Sequence, residues 1–127
     1  MNWEGRAQSP EEAPPAAERT RVVRRSEAFR SILEPLRRTL NEAERRFLAL
    51  QAAAATSPEA LGEYLAILAE VGAIDERLRE ISGRRDIPYL VDRRLTQLHD
   101  HSRWLVRRVS AVFLLILEVN LEQEFKQ

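Results

Sequence analysis

The sequence predicts an all-α fold, a coiled-coil-like bundle of three long antiparallel helices. Two observations carry this prediction. Apolar residues recur at seven-residue spacing along most of the chain, the mark of helices packed along a seam. The pattern is interrupted at only two places that combine a capping residue with proline, near residues 56–59 and 83–88. At 127 residues, 44% apolar and 31% charged, the chain has room for one core of modest size.

Residues 1–18 hold Pro10, Pro14 and Pro15 among Glu, Gln, Ser and Ala, with Trp3 as the one large apolar side chain. Such a segment buries too little to offset its ordering entropy and is expected to be a disordered tail, leaving residues 19–127 as the helical domain.

From Thr20 the first helix sets Leu33, Leu40, Phe47 and Ala54 seven apart, interleaved with Val22, Phe29, Leu36, Ala43 and Leu50. Pro35 stands on the outer side of this seam. It removes a backbone donor, so it either kinks the helix or starts a new one capped by Ser31. A break there gives a fourth helix, able to fold back over the end of the bundle.

Thr56-Ser57-Pro58-Glu59 places a cap, a proline and an acid in the order that opens a helix. In the second helix Leu61 and Leu68, then Tyr64, Val71 and Leu78, then Ile67, Ile74 and Ile81 form three adjacent rows, a face wide enough for two neighbours. Gly62 and Gly72 cost about 1 kcal/mol each against alanine, which suggests close approach of another backbone or simple tolerance. Gly83 is the expected stop, with Asp86-Ile87-Pro88 opening the third helix.

The third helix carries the longest uninterrupted heptad: Val91, Leu98, Leu105, Val112 and Val119, alternating with Leu95, Ser102, Val109 and Ile116. At 1.5 Å per residue the second helix spans roughly 39 Å and the third roughly 57 Å, so a pair starting level leaves about 18 Å of the third unpaired. That excess falls on a segment apolar all the way round, which needs cover on every side. Phe113, Leu114, Leu117, Leu121 and Phe125 are therefore the expected protein interface, each contributing ~1.5–3 kcal/mol on burial before association costs. The expected occupant is a second copy, with a dimer favoured, or a helical protein partner.

Charge is balanced, with 20 basic and 20 acidic residues, but unevenly spread. Residues 19–46 carry nine Arg against four Glu, residues 77–108 carry nine Arg against four acids, and residues 59–76 are acidic. Arg24, Arg38 and Arg45 share a phase on the first helix, as do Arg93 and Arg107 on the third. These rows suit phosphates or an acidic partner. The plainer expectation is local neutralisation, since Glu34, Glu42 and Asp100 precede Arg37/Arg38, Arg45/Arg46 and Arg103 at ion-pairing distance along a helix. Trp104 is expected on the bundle flank, with stacking over Arg107 or Arg108 as the alternative.

No catalytic residue, metal ligand set or cofactor is expected. His99 and His101 are two apart on one helix and point about 200° away from each other, so they cannot share a metal. The paired carboxylates at helical spacing, such as Glu118/Glu122, read as a solvated face. There is no phosphate-binding glycine loop and no nucleophile motif. The absence of cysteine excludes disulfides and thiolate sites and is compatible with the cytoplasm. There is no export signal pattern, and residues 111–117 are far short of the ~20 apolar residues that span a bilayer. The expected function is a non-enzymatic structural or adaptor protein acting by assembly, with a nucleic-acid-binding accessory subunit as the alternative.

Overall fold

The structure, a computed structural model, describes residues 16–84 and 86–126. The tail with Trp3, the Val22 side chain and Arg85 lie outside the described residues. Three helices follow in order: α1, Ala16–Ala52; α2, Pro58–Ser82; and α3, Tyr89–Lys126. The described residues form an all-α bundle in which α2 runs antiparallel to both neighbours, while α1 and α3 run in parallel side by side. No described helix is long and apolar enough to cross a membrane.

The heptad seams become the core. Phe29, Leu33, Leu40, Ala43 and Phe47 of α1 are buried against Tyr64, Ile67, Val71, Ile74, Leu78 and Ile81 of α2. From α3 come Leu95, Leu98, Leu105, Val109 and Ile116. The third row of α2, Leu61 and Leu68, is half-buried at the edge of the same core. Phe47 and Tyr64 meet edge to face, with ring centroids 6.0 Å apart, an arrangement favoured by the ring quadrupoles.

Pro35 does not break α1, which continues through it. Ser31 is not a cap: its hydroxyl donates to the Glu27 carbonyl within the helix. Pro35 is exposed, so its ring points to solvent while Leu33 and Leu40 on the inner face stay packed. The fourth helix allowed by the sequence through a break at Pro35 is therefore absent among the described residues, none of which folds back over the end of α3.

The first turn has a structure that its alanines do not advertise. Ala55 N donates to Leu50 O at 3.1 Å and Ala54 N to Gln51 O at 2.9 Å, the paired bonds of a Schellman ending. Ala54 sits at φ 49°, in the left-handed region normally given to glycine. Ser57 then caps α2 as its sequence suggests, its hydroxyl accepting from Ala60 N at 3.2 Å. Gly83 ends α2 in a right-handed conformation, φ −72°, so its glycine character is not what stops the helix. Pro88 precedes α3 and its carbonyl accepts from Asp92 N at 3.0 Å.

The glycines of α2 correct the close-approach expectation. A Cβ built on Gly62 or Gly72 meets nothing within 4 Å, so neither marks a backbone contact within this chain.

Candidate protein interface

Two polar contacts fix how α3 lies on α2. Near the end of α2, Ser82 Oγ is 3.1 Å from His99 Nε2. Just before its start, the Thr56 carbonyl accepts from Asn120 Nδ2 at 2.8 Å. Asp75 of α2 also accepts from the Ser102 hydroxyl of α3, so α2 faces roughly residues 95–120 of α3, and the excess length of α3 is divided between the two ends. The first turns of α3 run past the end of α2, and there only the face bearing Val91 is buried, beside Leu33 of α1 with which it lines a groove. Only residues 121–126, about 9 Å of helix, project beyond the α1–α2 turn. The expected 18 Å overhang assumed a level start, and the six-residue connection from Gly83 to Pro88 removes that condition.

This register sorts the predicted interface residues. Phe113 turns inward and packs against the core, so it does not belong to the exposed surface. Leu117 is half-buried. Leu114 is 61% exposed, Leu121 45% and Phe125 89%, and these three fall on one stripe of the helix. Leu115 and Val119, which sequence reasoning left out of the surface, are also exposed. Val119 continues the seam in sequence, but the bundle ends beside Asn120, so the seam has nothing to face there. Glu118 and Glu122 lie between the two apolar stripes, and both are exposed.

At the opposite end, α1 projects instead. Phe29 is the first buried residue among the described side chains of α1, and the Arg84 guanidinium lies 5.8 Å from its ring centroid, which places Phe29 level with the α2–α3 connection. Residues 16–28 extend beyond it by roughly 20 Å at 1.5 Å per residue. Val23, Tyr89 and Leu90 are exposed at this end.

The five arginines singled out by sequence, Arg24, Arg38, Arg45, Arg93 and Arg107, are all exposed, and none forms an ion pair among the described residues. They do not converge on one surface. Arg38 and Arg45 line one shallow groove with Asn41 and Glu42, while Arg93 lines another with Arg30 and Arg94. Of the three local pairings expected from sequence, only Glu34 with Arg37 forms, although Arg77 with Glu80 and Arg79 with Asp75 are neutralised in the same way along α2. The Arg37 hydrogen bond, aided by the charges of Arg37, Arg38 and Arg94, holds the Glu34 carboxyl below its usual value against a smaller opposing effect of burial. Arg46 reaches across to Glu70 of α2 at 2.6 Å instead of pairing with Glu42. Trp104 sits half-exposed on the flank, its ring 6.4 Å from that of His101 rather than over an arginine.

The histidines face different helices, as their spacing requires. His99 Nδ1 lies 3.3 Å from Asp75 Oδ1 on α2, and His101 Nε2 lies 3.1 Å from Glu44 Oε2 on α1. Asp75 also accepts from the wholly buried Ser102 hydroxyl at 3.1 Å and holds Arg79 at 3.0 Å. Ser102 interrupts an apolar seam, and the only hint of its partner in the sequence was that interruption.

Asp75, His99 and Ser82 stand in the order of a hydrolytic relay, yet Ser82 Oγ donates to the Leu78 carbonyl at 2.6 Å. The neighbouring N–H groups of Gly83 and Arg84 are committed to Arg79 O and Ile81 O. A helix C-terminus presents carbonyls, the opposite of what a developing oxyanion needs. The network ties α2 to α3. Among the described residues, no group of three or more His, Asp or Glu is placed to hold a metal ion.

No protein family, curated protein or solved structure matches this chain.

Proposed function

We propose that the protein is a non-enzymatic structural or adaptor protein that works by assembly, with the exposed end of α3 as its contact. The observation that supports this reading most is the position of Leu121 and Phe125. Both stand on the part of α3 beyond Asn120, where no other described element reaches, and Phe125 is 89% exposed. Leu114 continues their stripe along the helix, and Leu115 and Val119 form a second exposed apolar stripe on the other side of Glu118 and Glu122, a concentration of exposed apolar side chains of the kind that marks an interaction site. Leu121→Glu with Phe125→Glu tests it. Both residues lie outside the packed core, so the variant keeps its helicity by circular dichroism. Its molar mass by light scattering falls below that of the parent protein. A variant with the parent mass contradicts this interface.

A second reading, nucleic-acid binding, has one observation in its favour: the unpaired, exposed state of Arg24, Arg38, Arg45, Arg93 and Arg107 among the described residues. It requires affinity for a nucleic-acid probe that falls steeply with salt and drops about equally for all sequences when these arginines become alanine. No binding at low salt removes it.

A further inference from the structure

The two ends of the bundle carry opposite charge, although the chain as a whole is neutral. At the end where α3 projects, the exposed charges are Glu118, Glu122 and Glu124 of α3 and Glu59 and Glu63 in the first two turns of α2, against Lys126 and Arg46, which lines a groove with Glu63 but is paired with Glu70. At the end where α1 projects stand Arg19, Arg21, Arg24, Arg25, Arg30, Arg84, Arg93 and Arg94, with Glu18, Glu27, Asp86 and Asp92 offsetting part of them. Each grouping joins two stretches that are far apart in the sequence. Each arises because the fold brings the start of α1 beside the start of α3, and the start of α2 beside the end of α3.

The projections are complementary in three further respects. Each end carries exposed apolar side chains, Leu121 and Phe125 at one and Val23, Tyr89 and Leu90 at the other. The helix termini match as well, since the C-terminal end of α3 bears the negative pole of its dipole and the N-terminal end of α1 the positive pole. Because α1 and α3 run in parallel within one molecule, a copy stacked end to end on another lays its α1 projection alongside the α3 projection of its neighbour.

We infer that copies of this chain associate head to tail, the acidic, apolar end of α3 in one copy seated against the basic, apolar end of α1 in the next. This inference rests on the proposed role of the α3 end as an interface and specifies what covers it. An isologous contact of two α3 ends would instead bring Glu118, Glu122 and Glu124 of both copies together, which opposes association. A head-to-tail contact uses a different surface on each partner, so it does not close by a two-fold axis and adds copies in a row or a ring. It is also steered by charge and weakens with salt.

The test uses two variants of the full chain, each altered outside the core: Leu121→Glu/Phe125→Glu at one end and Arg21→Glu/Arg24→Glu at the other. Molar mass is measured by light scattering at ~50 mM and ~500 mM salt, on either side of strong screening. The parent protein is expected to show at least twofold higher mass at low salt. Each variant alone is expected at the monomer mass of 14.7 kDa. An equimolar mixture is expected to form a one-to-one dimer and stop there, because each variant retains one working end. A basic-end variant with the parent's mass, or a mixture that stays monomeric, overturns head-to-tail association while leaving the α3 end as an interface of another kind. A parent protein monomeric at both salts, or an apolar-end variant with the parent's mass, overturns both readings.

Discussion

Asn120 donates to the carbonyl of Thr56 at 2.8 Å, and this single contact marks where the bundle ends and the free part of α3 begins. The same amide donates to Ile116 O at 2.9 Å, so both of its protons are used. N-terminal to it the inner face of α3 packs on α2 and α1, and Leu121 and Phe125 lie beyond it.

The Schellman turn that precedes Thr56 predicts a stabilising substitution. Ala54 occupies a left-handed conformation that costs an L-residue ~1–2 kcal/mol. Glycine escapes that cost but loses more entropy on folding, by about 0.4–1 kcal/mol. Ala54→Gly is expected to raise stability by about 0.5 kcal/mol, and Ala54→Val to lower it by more than ~1 kcal/mol. Urea unfolding at fixed protein concentration measures both, and a destabilised Gly variant contradicts the turn geometry.

The open surroundings of Gly62 and Gly72 predict the opposite use of glycine. Both lie inside α2 with space for a Cβ, so Gly62→Ala and Gly72→Ala should each stabilise by up to about 1 kcal/mol. Thermal unfolding that shows either variant less stable would point to a backbone contact made in the assembled state.

The Asp75 network predicts unequal costs for two similar contacts. Asp75 serves His99, Ser102 and Arg79 and is largely buried, whereas Glu44 serves His101 alone and is more exposed. Asp75→Ala leaves the buried Ser102 hydroxyl with only the His99 carbonyl and is expected to cost ~1–3 kcal/mol. Glu44→Ala is expected to cost less than ~1 kcal/mol. Equal losses in denaturant titrations would mean that Asp75 does not hold α2 on α3.

Tyr64 predicts an alkaline limit to stability. Burial, and secondarily the neighbouring Glu63 carboxylate, push its phenol above its usual value of about 10. The folded state therefore favours the neutral phenol. That contribution is intact below the unfolded-chain value and is lost as pH rises through the folded one. In a Tyr89→Phe background, absorbance should show Tyr64 ionising above that usual value and together with loss of helical signal. Ionisation at the ordinary value without unfolding would contradict its burial.

The seams were legible in the sequence because packing repeats every seven residues, and Phe29, Leu40, Phe47, Leu105 and Ile116 took the places their spacing assigned. The cap at Ser57 was legible because its chemistry is local. What periodicity does not contain is axial offset. The connection from Gly83 to Pro88 lets α3 begin below the end of α2, so Phe113 entered the core edge and Val119 left it. Polar partners across helices were hidden for the same reason, since Arg46 chose Glu70 over the nearer Glu42 in sequence, and Asp75 gathered His99 and Ser102. Of the site, Leu114, Leu121 and Phe125 were read from sequence, while the charge at the two ends became visible only once the register placed Glu59 near Glu118.

Assembly is tested most directly by the molar mass of the parent protein, measured by light scattering across a dilution series at low salt. A mass above the 14.7 kDa of one chain that falls on dilution is expected. A constant 14.7 kDa at every concentration would contradict assembly.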